Sequence, residues 1–559
     1  MAKTAQREAR SASSSSLATL EGDNAIDDLR DEHSRIAVEK KSTSELLRAL
    51  FVYNLCSFSS LVDLAPILIH LTEKVHFTLI VYWIVRRTFF AQFCGGETAE
   101  DCVDTMNTFK QAGINSILDL SIEADLDDPD LAHETPEETR VRFNQSADDA
   151  ASNVSTCIAT ASTMPRSFAA IKFTALISPL LLRQISNTLT AMEHCFKSVD
   201  RDGNGRISLK EFKQWISMLP SPAATVRPDT SLETAVEGLF READKDCDGW
   251  VDWVDVACTV SLNRDETRAL FTAQQSASNK LELIPGLSSE DFEDYKRLLM
   301  RVEKLCDQAE KTQTRLMIDA EQTYFQPAID DMALYLQERY NRTCQSDGPL
   351  IYNTYQMYLK DALGRLKRDF ARAQRNDYAL AVKLVRGAYM VSERKRASEL
   401  GLEDPICDGI EATHSSFNAG LDFMLTEIAR PWRSGATTDS GVEHRDSSVR
   451  PTLSSSRAVL VVASHNTNST IRTCERMQEL GLEPQSGLVM FGHLKGMCDH
   501  LSYTLGKHGY GVYKYVPYGP IHRVIPYLIR RAQENASVLG GVSVERAVIW
   551  EELKLRYLG

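Results

Sequence analysis

Eight short apolar runs, each followed by a longer amphipathic segment in most cases, constrain the fold of this chain more than any other feature. The runs are rich in β-branched residues and lie at 116–121, 168–176, 316–321, 350–356, 380–389, 458–466, 487–494 and 511–519. Near-continuous apolar runs are typical of parallel strands covered on both faces. The pattern therefore predicts an α/β fold, a (β/α)8 TIM-like barrel, with a doubly wound open sheet as the alternative.

Two segments interrupt this alternation and define the predicted domain organisation. One, at 185–290, is helical and acidic; the other, at 433–457, is rich in Ser, Thr and Gly and is predicted to be a disordered surface loop. The predicted units are a disordered N-terminus or transit peptide (1–44), an N-terminal helical segment (45–114), the first part of the barrel (115–184), an all-α insertion (185–290) and the barrel remainder (291–559).

The insertion contains the stretch DRDGNGRISLKE, whose polar residues have the spacing of a calcium-binding loop. Positions 1, 3, 5, 7 and 12 of this loop are Asp200, Asp202, Asn204, Arg206 and Glu211. Calcium takes six to eight hard oxygen ligands, which carboxylates, an amide, the backbone carbonyl of position 7 and a bidentate Glu supply at this spacing. Helical segments flank the loop, so the sequence predicts an EF-hand.

A second loop of the same type follows, and EF-hands usually pair. Its candidate ligands are Asp244, Asp246, Asp248, the carbonyl of Trp250, and Asp255 at position 12. Asp at position 12 has a shorter side chain than the usual Glu, so this loop is expected to bind calcium more weakly or to accept magnesium. A degenerate loop with a purely structural role is the alternative.

Composition excludes some functions. The net charge of −14 and a pI near 5.5 argue against nucleic-acid binding as the main activity. Twelve cysteines without a CxxC pair predict free thiols in a reducing compartment. The most apolar segment, residues 61–85, is broken by charged residues and is better interpreted as a buried or interfacial helix pair than as a membrane span. The N-terminal 20 residues, with three basic residues and one acid, fit either a mitochondrial transit peptide or a disordered tail.

The stretch YLIRRAQEN near the C-terminus suggests a site for a small carboxylate. On a helix, Tyr527, Arg530, Arg531 and Glu534 project toward a common face. Two arginines can clamp a carboxylate, with Glu534 orienting Arg530. A solvated helix with an internal salt bridge is the alternative, but this helix follows the last predicted strand, where the active sites of such barrels are built.

Polar residues also stand within or at the ends of the strand-like runs, where a barrel core is expected to be apolar. They are Lys172, Asp319, Glu321, Asn353, Lys383, Arg386, Ser464, His465 and Asn466. So many at strand ends predict a polar ligand in the barrel mouth.

Five stretches together resemble the proline dehydrogenase family of FAD-dependent mitochondrial enzymes. They are MIDAE, IYNTYQMYLKDA, KLVRGAYMVSERKRASELGLEDP, VVASHN and YKYVPYGPIHRVIPYLIRRAQEN, and they occur in the family order. The similarity extends from about residue 45 to residue 556, interrupted by the insertion and the Ser-rich loop.

The resemblance implies roles for individual residues. Arg530, Arg531 and Lys172 would bind the proline carboxylate, Glu534 would organise the arginines, and Tyr515, Tyr527, Tyr389 and Leu494 would line the substrate pocket. Ala320, Asn353, Lys383, Arg386, Gly387, Ala388, Ser464 and His465 match positions that contact the flavin. The implied catalytic residues are Lys172, Asp319 and Lys383, and Asn353, Lys383 and Met390 depart from the residues common in bacterial members.

The resemblance further implies oxidation of L-proline to Δ1-pyrroline-5-carboxylate, with FAD as cofactor and ubiquinone as electron acceptor. It places the enzyme on the matrix side of the mitochondrial inner membrane as a peripheral protein. Two alternatives remain. Hydroxyproline dehydrogenases have a smaller residue at the position of Tyr515, so the Tyr favours proline. A calcium-responsive binding protein on an inactive barrel is disfavoured by the intact Lys172, Asp319, Arg530, Arg531 and Glu534.

Overall fold

Eight parallel strands close into a barrel in the computed structural model. It describes residues 25–31, 33–58, 62, 64, 78–121, 135–225, 231–273, 283–342, 348–430, 451–537 and 539–558. The barrel strands are β1 (Asn115–Leu120), β2 (Phe168–Ile171), β5 (Arg315–Ile318), β6 (Ile351–Gln356), β7 (Leu380–Val385), β8 (Ala458–Ala463), β9 (Val489–Leu494) and β10 (Gly511–Tyr518). Their order is β1-β10-β9-β8-β7-β6-β5-β2, and β2 pairs with β1 to close the ring. The predicted barrel is confirmed, and closure excludes the open sheet.

Helices between the strands cover the barrel, and further helices precede β1 and follow β10. The α-helices are α1 (Ile36–Glu39), α2 (Thr43–Cys56), α3 (Thr78–Val85), α4 (Ala91–Phe93), α5 (Cys102–Gln111), α6 (Pro136–Ala161), α7 (Pro179–Val199), α8 (Leu209–Ile216), α9 (Leu232–Ala243), α10 (Trp253–Thr259), α11 (Asp265–Arg268), α12 (Ser289–Thr312), α13 (Gln326–Tyr340), α14 (Ala362–Arg375), α15 (Met390–Leu400), α16 (Ile410–Ala429), α17 (Thr467–Glu479), α18 (Asp499–Lys507), α19 (Ile521–Ser537) and α20 (Leu539–Leu558). A π-helical turn spans Arg86–Phe90, and 3₁₀ turns span Phe173–Ala175, Pro222–Thr225, Ala269–Phe271 and Pro484–Ser486.

The barrel interior is apolar and aromatic at its amino end and polar at its carboxyl end. At the amino end, the Phe168 ring lies edge-on to Tyr352 and Tyr513, with centroids 4.9 and 5.0 Å away. Alternate residues of a strand face the same side, so the next inward residues along the strands reach the carboxyl end. These include Lys383 and Tyr515, which therefore point into the barrel mouth at the carboxyl end. The aromatic rings fill the interior at the other end.

The insertion between β2 and β5 is built from two helix–loop–helix units. Their loops are joined by an antiparallel pair of short strands, β3 (Arg206–Ser208) and β4 (Trp250–Asp252), in which the fully buried Ile207 and Val251 are partners. Gly205 and Gly249 adopt φ of +80° and +84° at position 6 of each loop, a conformation that glycine adopts without steric cost. This is the pairing that two adjacent EF-hands require.

The first helix of the insertion also belongs to the barrel. α7 begins at Pro179, soon after β2, packs on the barrel helix α13, and runs without a break to Val199, beside the first loop. The boundary predicted at residue 185 falls inside this helix, because the apolar periodicity continues through it. The insertion and the barrel therefore share α7.

The two ends of the chain pack together on the outside of the barrel. Leu46 and Tyr53 of α2 are buried with Ile549 and Leu553 of α20. Near them, Lys514 of β10 is fully buried and forms an ion pair of 2.6 Å with Asp499, which also pairs with Lys41. This charged group ties the N-terminal segment to the barrel wall.

Other predictions from the sequence have mixed outcomes. All cysteines in the described residues are free, as expected. No helix in the described ranges is long and apolar enough to cross a membrane. Residues 1–24 of the possible transit peptide, most of the 61–85 segment and the Ser-rich loop up to residue 450 lie outside the described residues. The rest of the N-terminus that was predicted to be disordered is ordered where it is described: it contains α1, and Ala37 and Val38 are buried.

Candidate active site

A carboxylate held by two lysines and a tyrosine forms the centre of the polar barrel mouth. Asp319 follows β5, and its Oδ1 accepts a hydrogen bond of 2.6 Å from Lys383 Nζ. The Tyr515 hydroxyl lies 2.7 Å from both carboxylate oxygens, and Lys172 Nζ lies 3.6 Å from Oδ2. The structure thus brings together the three predicted catalytic residues and one predicted substrate-binding residue.

The electrostatics of this cluster keep the carboxylate ionised. Burial alone would raise the pKa of Asp319, but the charges of Lys383 and Lys172 and the Tyr515 hydrogen bond outweigh it and lower this pKa. Burial raises the pKa of Tyr515 well above its ordinary value, and the adjacent Asp319 raises it further. Tyr515 is therefore a neutral donor at physiological pH.

Asp119 is a member of this cluster that the sequence did not reveal. It lies in β1, where the run SILDLS reads as an ordinary buried strand, and its side chain is buried. Its Oδ1 lies 2.5 Å from Lys172 Nζ, and its Oδ2 accepts a hydrogen bond of 2.9 Å from Ser121. A lone carboxylate inside an apolar run was the available signal, of the same kind that singled out Asp319.

Glu321 is a further buried acid, close enough to Lys172 and Asp319 to interact with their charges. Glu321 accepts hydrogen bonds from the backbone N–H and the hydroxyl of Thr174, at 3.1 and 2.5 Å. Burial raises the pKa of Glu321 to about 7, even though these hydrogen bonds favour its ionised form. Gln356, at the end of β6, donates to the Glu321 carbonyl and accepts weakly from the Ala388 N–H, which links two neighbouring strand ends.

The turn after β7 has the character of an anion site. Arg386 donates to His414, Ser464 and Ser469, and burial lowers its pKa to about 10. None of these three partners is a carboxylate. At Gly387, a Cβ would lie 2.4 Å from the ring of Tyr358, so only glycine allows this close approach.

These features fit a bound dinucleotide. A half-buried guanidinium that has no carboxylate among these partners suits a phosphate, and the exposed backbone of Gly387 and Ala388 is accessible beside it. The predicted flavin positions Lys383, Arg386, Gly387, Ala388 and Ser464 therefore converge on one side of the mouth.

His465 contributes a neutral ring to the same edge. Its Nε2 accepts a hydrogen bond of 3.1 Å from the N–H of Leu494, the predicted pocket residue at the end of β9. Burial, reinforced by the charges of Lys514 and Arg531, lowers the pKa of His465 to about 3. His465 is therefore uncharged, and because Nε2 accepts a hydrogen bond, its ring proton lies on Nδ1.

Asn353 does not face the mouth, in contrast to the prediction. Its amide donates to Asp330 on α13 at 3.0 Å, which places the side chain on the helix side of β6. The strand alternates, so Thr354 and Gln356 face inward instead. This orientation argues against a flavin contact by the Asn353 side chain.

The predicted carboxylate clamp lies on α19, beside the strand ends. Arg531 is buried, its NH2 pairs with Glu534 at 2.6 Å, and its guanidinium lies 5.0 Å from the Tyr527 ring centroid. The sequence predicted that Glu534 would orient Arg530; the ion pair described is with Arg531. The Tyr527 hydroxyl and Arg531 Nε are buried without a hydrogen-bond partner among the described residues, which suits a polar ligand.

The remaining predicted site residues border this region. Ala320 follows Asp319 directly, Tyr389 is the N-cap residue before α15, and Arg530 is half-buried on α19. α19 packs with Leu494 and Phe93 in a separate apolar cluster, so it covers the mouth without entering the barrel.

The candidate metal ligands lie in the insertion and are distinct from the mouth. In the second loop, carboxylate oxygens of Asp244, Asp246 and Asp248 lie within 4.8 Å of one another. In the first loop, Asp200 accepts the N–H groups of Gly203 and Gly205, and Glu211 accepts from Ser208. The donor sets are hard oxygens, which fits calcium.

Comparisons with known proteins agree with this arrangement. The sequence profile of the family described as proline dehydrogenase matches residues 102–544. The chain is 32% identical to proline dehydrogenase 1, mitochondrial, of Bos taurus, over 93% of this chain and 88% of that protein. It is also 32% identical to hydroxyproline dehydrogenase of Bos taurus, over 94% of this chain and 92% of that protein.

A solved structure shares the fold at low sequence identity. Proline utilization A (PutA) from Bdellovibrio bacteriovorus, described as inactivated by N-propargylglycine, superposes with a TM-score of 0.51 at 14% identity. The match covers 93% of this chain and 41% of the PutA chain. At this identity the likeness extends to the fold alone.

Proposed function

Because the chain belongs to the proline dehydrogenase family, we propose that it oxidises L-proline to Δ1-pyrroline-5-carboxylate, the first step of proline catabolism, with FAD as its cofactor. The observation that carries this proposal is the ionised Asp319 held between Lys172, Lys383 and Tyr515 at the barrel mouth. An inactive barrel would not need three charged groups in a buried cluster, because burying each of them costs free energy.

The proposed role of the chain is to position substrate and cofactor. Arg531, Arg530 and Lys172 supply positive charge for the proline carboxylate, and Tyr527 and Tyr515 offer ring faces to the pyrrolidine. When bound, FAD supplies the acceptor for the hydride that leaves the carbon next to the proline nitrogen. Arg386 would hold the FAD phosphates, and Lys383 would lie beside its ring system.

Substrate choice between proline and hydroxyproline is proposed to depend on Tyr515. Its hydroxyl shares one proton between the two oxygens of Asp319, at 2.7 Å from each, so the side chain occupies space beside the substrate position and would lose this hydrogen bond if it moved away. A hydroxyl on the ring would have to displace it. We expect kcat/KM for L-proline to exceed that for trans-4-hydroxy-L-proline; the reverse order would favour the second activity, which the similarity to hydroxyproline dehydrogenase keeps as the alternative.

Calcium binding by the insertion is a second proposed property. Its support is the paired loops, the glycine conformations at position 6 and the three convergent carboxylates of the second loop. The first loop is expected to bind more tightly, because Glu211 reaches further than Asp255.

The proposed electron acceptor is ubiquinone, and the proposed location is the matrix side of the mitochondrial inner membrane. Relatives named as mitochondrial support the organelle. The exposed apolar helix α3 supports peripheral attachment: the side chains of Leu79, Ile80 and Trp83 are 83, 57 and 59% exposed. Arg87 lies over the Trp83 ring, and basic and aromatic residues together suit a lipid headgroup region.

The colour of the purified protein tests the main proposal. We expect a yellow protein whose flavin absorbance is bleached by L-proline under anaerobic conditions. A colourless protein that FAD does not reconstitute would refute the proposal and favour a calcium-responsive binding protein. Calcium titration of the same sample tests the second property separately.

A further inference from the structure

The candidate ligands of the second loop fall into two groups. Asp244, Asp246 and Asp248 converge at the start of the loop. Asp252 and Asp255, at positions 9 and 12, face the barrel instead. A cation bound in an EF-hand needs ligands from both halves of its loop, and position 12 supplies its strongest one. The second half of this loop is therefore engaged elsewhere.

Arg375, the last residue of the barrel helix α14, holds this second half. Its NH1 lies 2.7 Å from Asp252 Oδ1 and 2.8 Å from Asp255 Oδ1, and its NH2 lies 2.6 Å from Asp252 Oδ2. The other oxygen of Asp255 accepts the Asp252 N–H at 3.0 Å. All four oxygens of the two carboxylates thus have a partner, and three of them face the guanidinium.

Neighbouring contacts fix the same end of α14 to the loop. Lys245, inside the loop, donates to Asn376 at 2.8 Å, and the Asn376 amide contacts Cys258 of α10 at 3.3 Å. The Arg375 guanidinium therefore lies in the contact between the barrel and the insertion. Its positive charge faces the carboxylates of Asp252 and Asp255, where a bound cation would also lie.

From this geometry we propose that Arg375 is a built-in competitor for the cation of the second loop. The oxygens that pair with Arg375 are those that calcium requires, so filling the loop and keeping the ion pair exclude each other. This inference rests on the proposed calcium binding and adds to it a coupling between the second loop and the barrel.

The first loop provides an internal contrast. Its position 12 residue, Glu211, is held by the neighbouring Ser208 through the backbone N–H and the hydroxyl, at 2.9 and 2.8 Å. This local hydrogen bonding does not bring in a barrel residue. Arg375 should therefore affect the affinity of the second loop and leave that of the first unchanged.

The test is calcium titration of the full-length, FAD-loaded protein after EGTA treatment, by calorimetry and by tryptophan fluorescence. Trp250 and Trp253 lie in or next to the second loop and report on it directly. The variants D200N and D244N assign the two binding events to the first and second loop. These readouts do not depend on enzymatic activity.

The decisive variant is Arg375→Met, which keeps much of the side chain and removes its charge. Since Arg375 is partly exposed, the fold should tolerate it. We expect the second loop to bind calcium about fivefold more tightly or better, with no change in the first loop. Arg375→Lys keeps the positive charge but lacks the planar guanidinium that contacts two carboxylates at once. It should give a smaller increase in calcium affinity.

Arg368→Met is the matched control, because Arg368 lies on the same helix but pairs with Glu193 of α7 at 2.9 Å. It should leave both affinities unchanged. Unchanged or weakened binding by the second loop in Arg375→Met would overturn the inference while the proposed calcium binding stands. Absence of calcium binding in the wild-type chain would overturn both.

A measurement on the wild-type chain avoids any question of misfolded variants. Hydrogen exchange of residues 370–378 should become faster when calcium fills the second loop, since the ion pair that holds this helix end is released. Equal or slower exchange would contradict the competition.

Discussion

At the scale of single residues, Arg531 is proposed to bind the substrate and not the cofactor. Its guanidinium is buried on α19, which follows β10, whereas the Arg386 turn that is proposed to hold FAD follows β7. We expect Arg531→Met to raise KM for proline by at least about tenfold while the flavin content stays near that of the wild type. The measurement is steady-state kinetics with the flavin-to-protein absorbance ratio. A rise in KM accompanied by an equally large loss of flavin content would indicate a structural role for the arginine.

Asp119 is expected to act by holding Lys172. Without its charge, Lys172 has Asp319 as its remaining carboxylate partner, 3.6 Å away, and would move toward it and away from the substrate. Asp119→Asn should therefore raise KM for proline by about tenfold and change kcat less. Ser121→Ala removes only the second hydrogen bond of Asp119 and should change KM little. A fall in kcat without a change in KM would contradict this positioning role.

Glu321 makes stability depend on pH. Its ordinary pKa is 4.5 and burial raises it to about 7, so in this window the native state keeps a proton that the unfolded chain has lost. The free energy of unfolding should therefore fall as pH rises from about 4.5 to 7, by up to about 3 kcal/mol. Denaturant unfolding at pH 5, 6 and 7.5 measures this; in Glu321→Gln the contribution should be absent. Identical pH profiles of the two proteins would show that the carboxyl titrates normally.

Some residue roles could be predicted from the sequence and others could not, for a geometric reason. Lys172, Asp319 and Lys383 interrupt apolar runs, and a charged residue there needs a partner of opposite charge or a polar site. In IYNTYQ, however, polar residues alternate onto both faces, and only the strand register shows that Asn353 faces α13 and Gln356 the mouth. Asp119 interrupts a run as visibly as Asp319, yet its partnership with Lys172 depends on two strands being neighbours.

At the scale of elements, the exposed apolar side chains of α3 predict that this helix binds lipid vesicles. Replacing both Leu79 and Trp83 with Ser removes two large exposed apolar side chains without opening a core. We expect binding to vesicles containing anionic lipid to weaken by at least about tenfold, since burying each side chain contributes about 1.5–3 kcal/mol. Activity with a water-soluble quinone should be unchanged.

A matched control is Leu402→Ser, which removes an exposed leucine just after α15, far from α3 in the sequence. It should bind vesicles like the wild type. Equal binding by the α3 variant and the wild type in a co-sedimentation assay would exclude this helix as the lipid contact.

Elements themselves were largely predictable, and their boundaries less so. All eight strand runs are strands, because near-continuous apolar character distinguishes covered parallel strands. The division between barrel and insertion at residue 185 could not be seen, since α7 has one uninterrupted apolar face that packs on the barrel at its start and on the first loop's partners at its end.

At the scale of the whole molecule, the buried group around Asp499 joins three separate regions of the chain. The charges of Lys41 and Lys514 outweigh the effect of burial and hold the pKa of Asp499 well below its ordinary value. Asp499→Asn would leave two lysines close together in a buried place. We expect the free energy of unfolding to fall by about 3–5 kcal/mol, measured by denaturant titration.

Lys507→Met serves as the control for this prediction. Lys507 lies on the same helix, α18, but its side chain is exposed and its pairing with Asp28 is weak, at 3.5 Å. Its replacement should change stability by less than about 1 kcal/mol. If Asp499→Asn unfolds at the same denaturant concentration as the wild type, the charged group does not hold the N-terminal segment in place.

The shared helix α7 connects the proposed proline site to the proposed calcium site. It is one rigid rod of 21 residues, about 31 Å long, with the loop of Lys172 before its first turn and Asp200 after its last. No break interrupts the helix between these two ends. If calcium binding changes the affinity for proline by some factor, proline binding must change the affinity for calcium by the same factor, so the proline concentration would then shift the calcium concentration at which the loops fill.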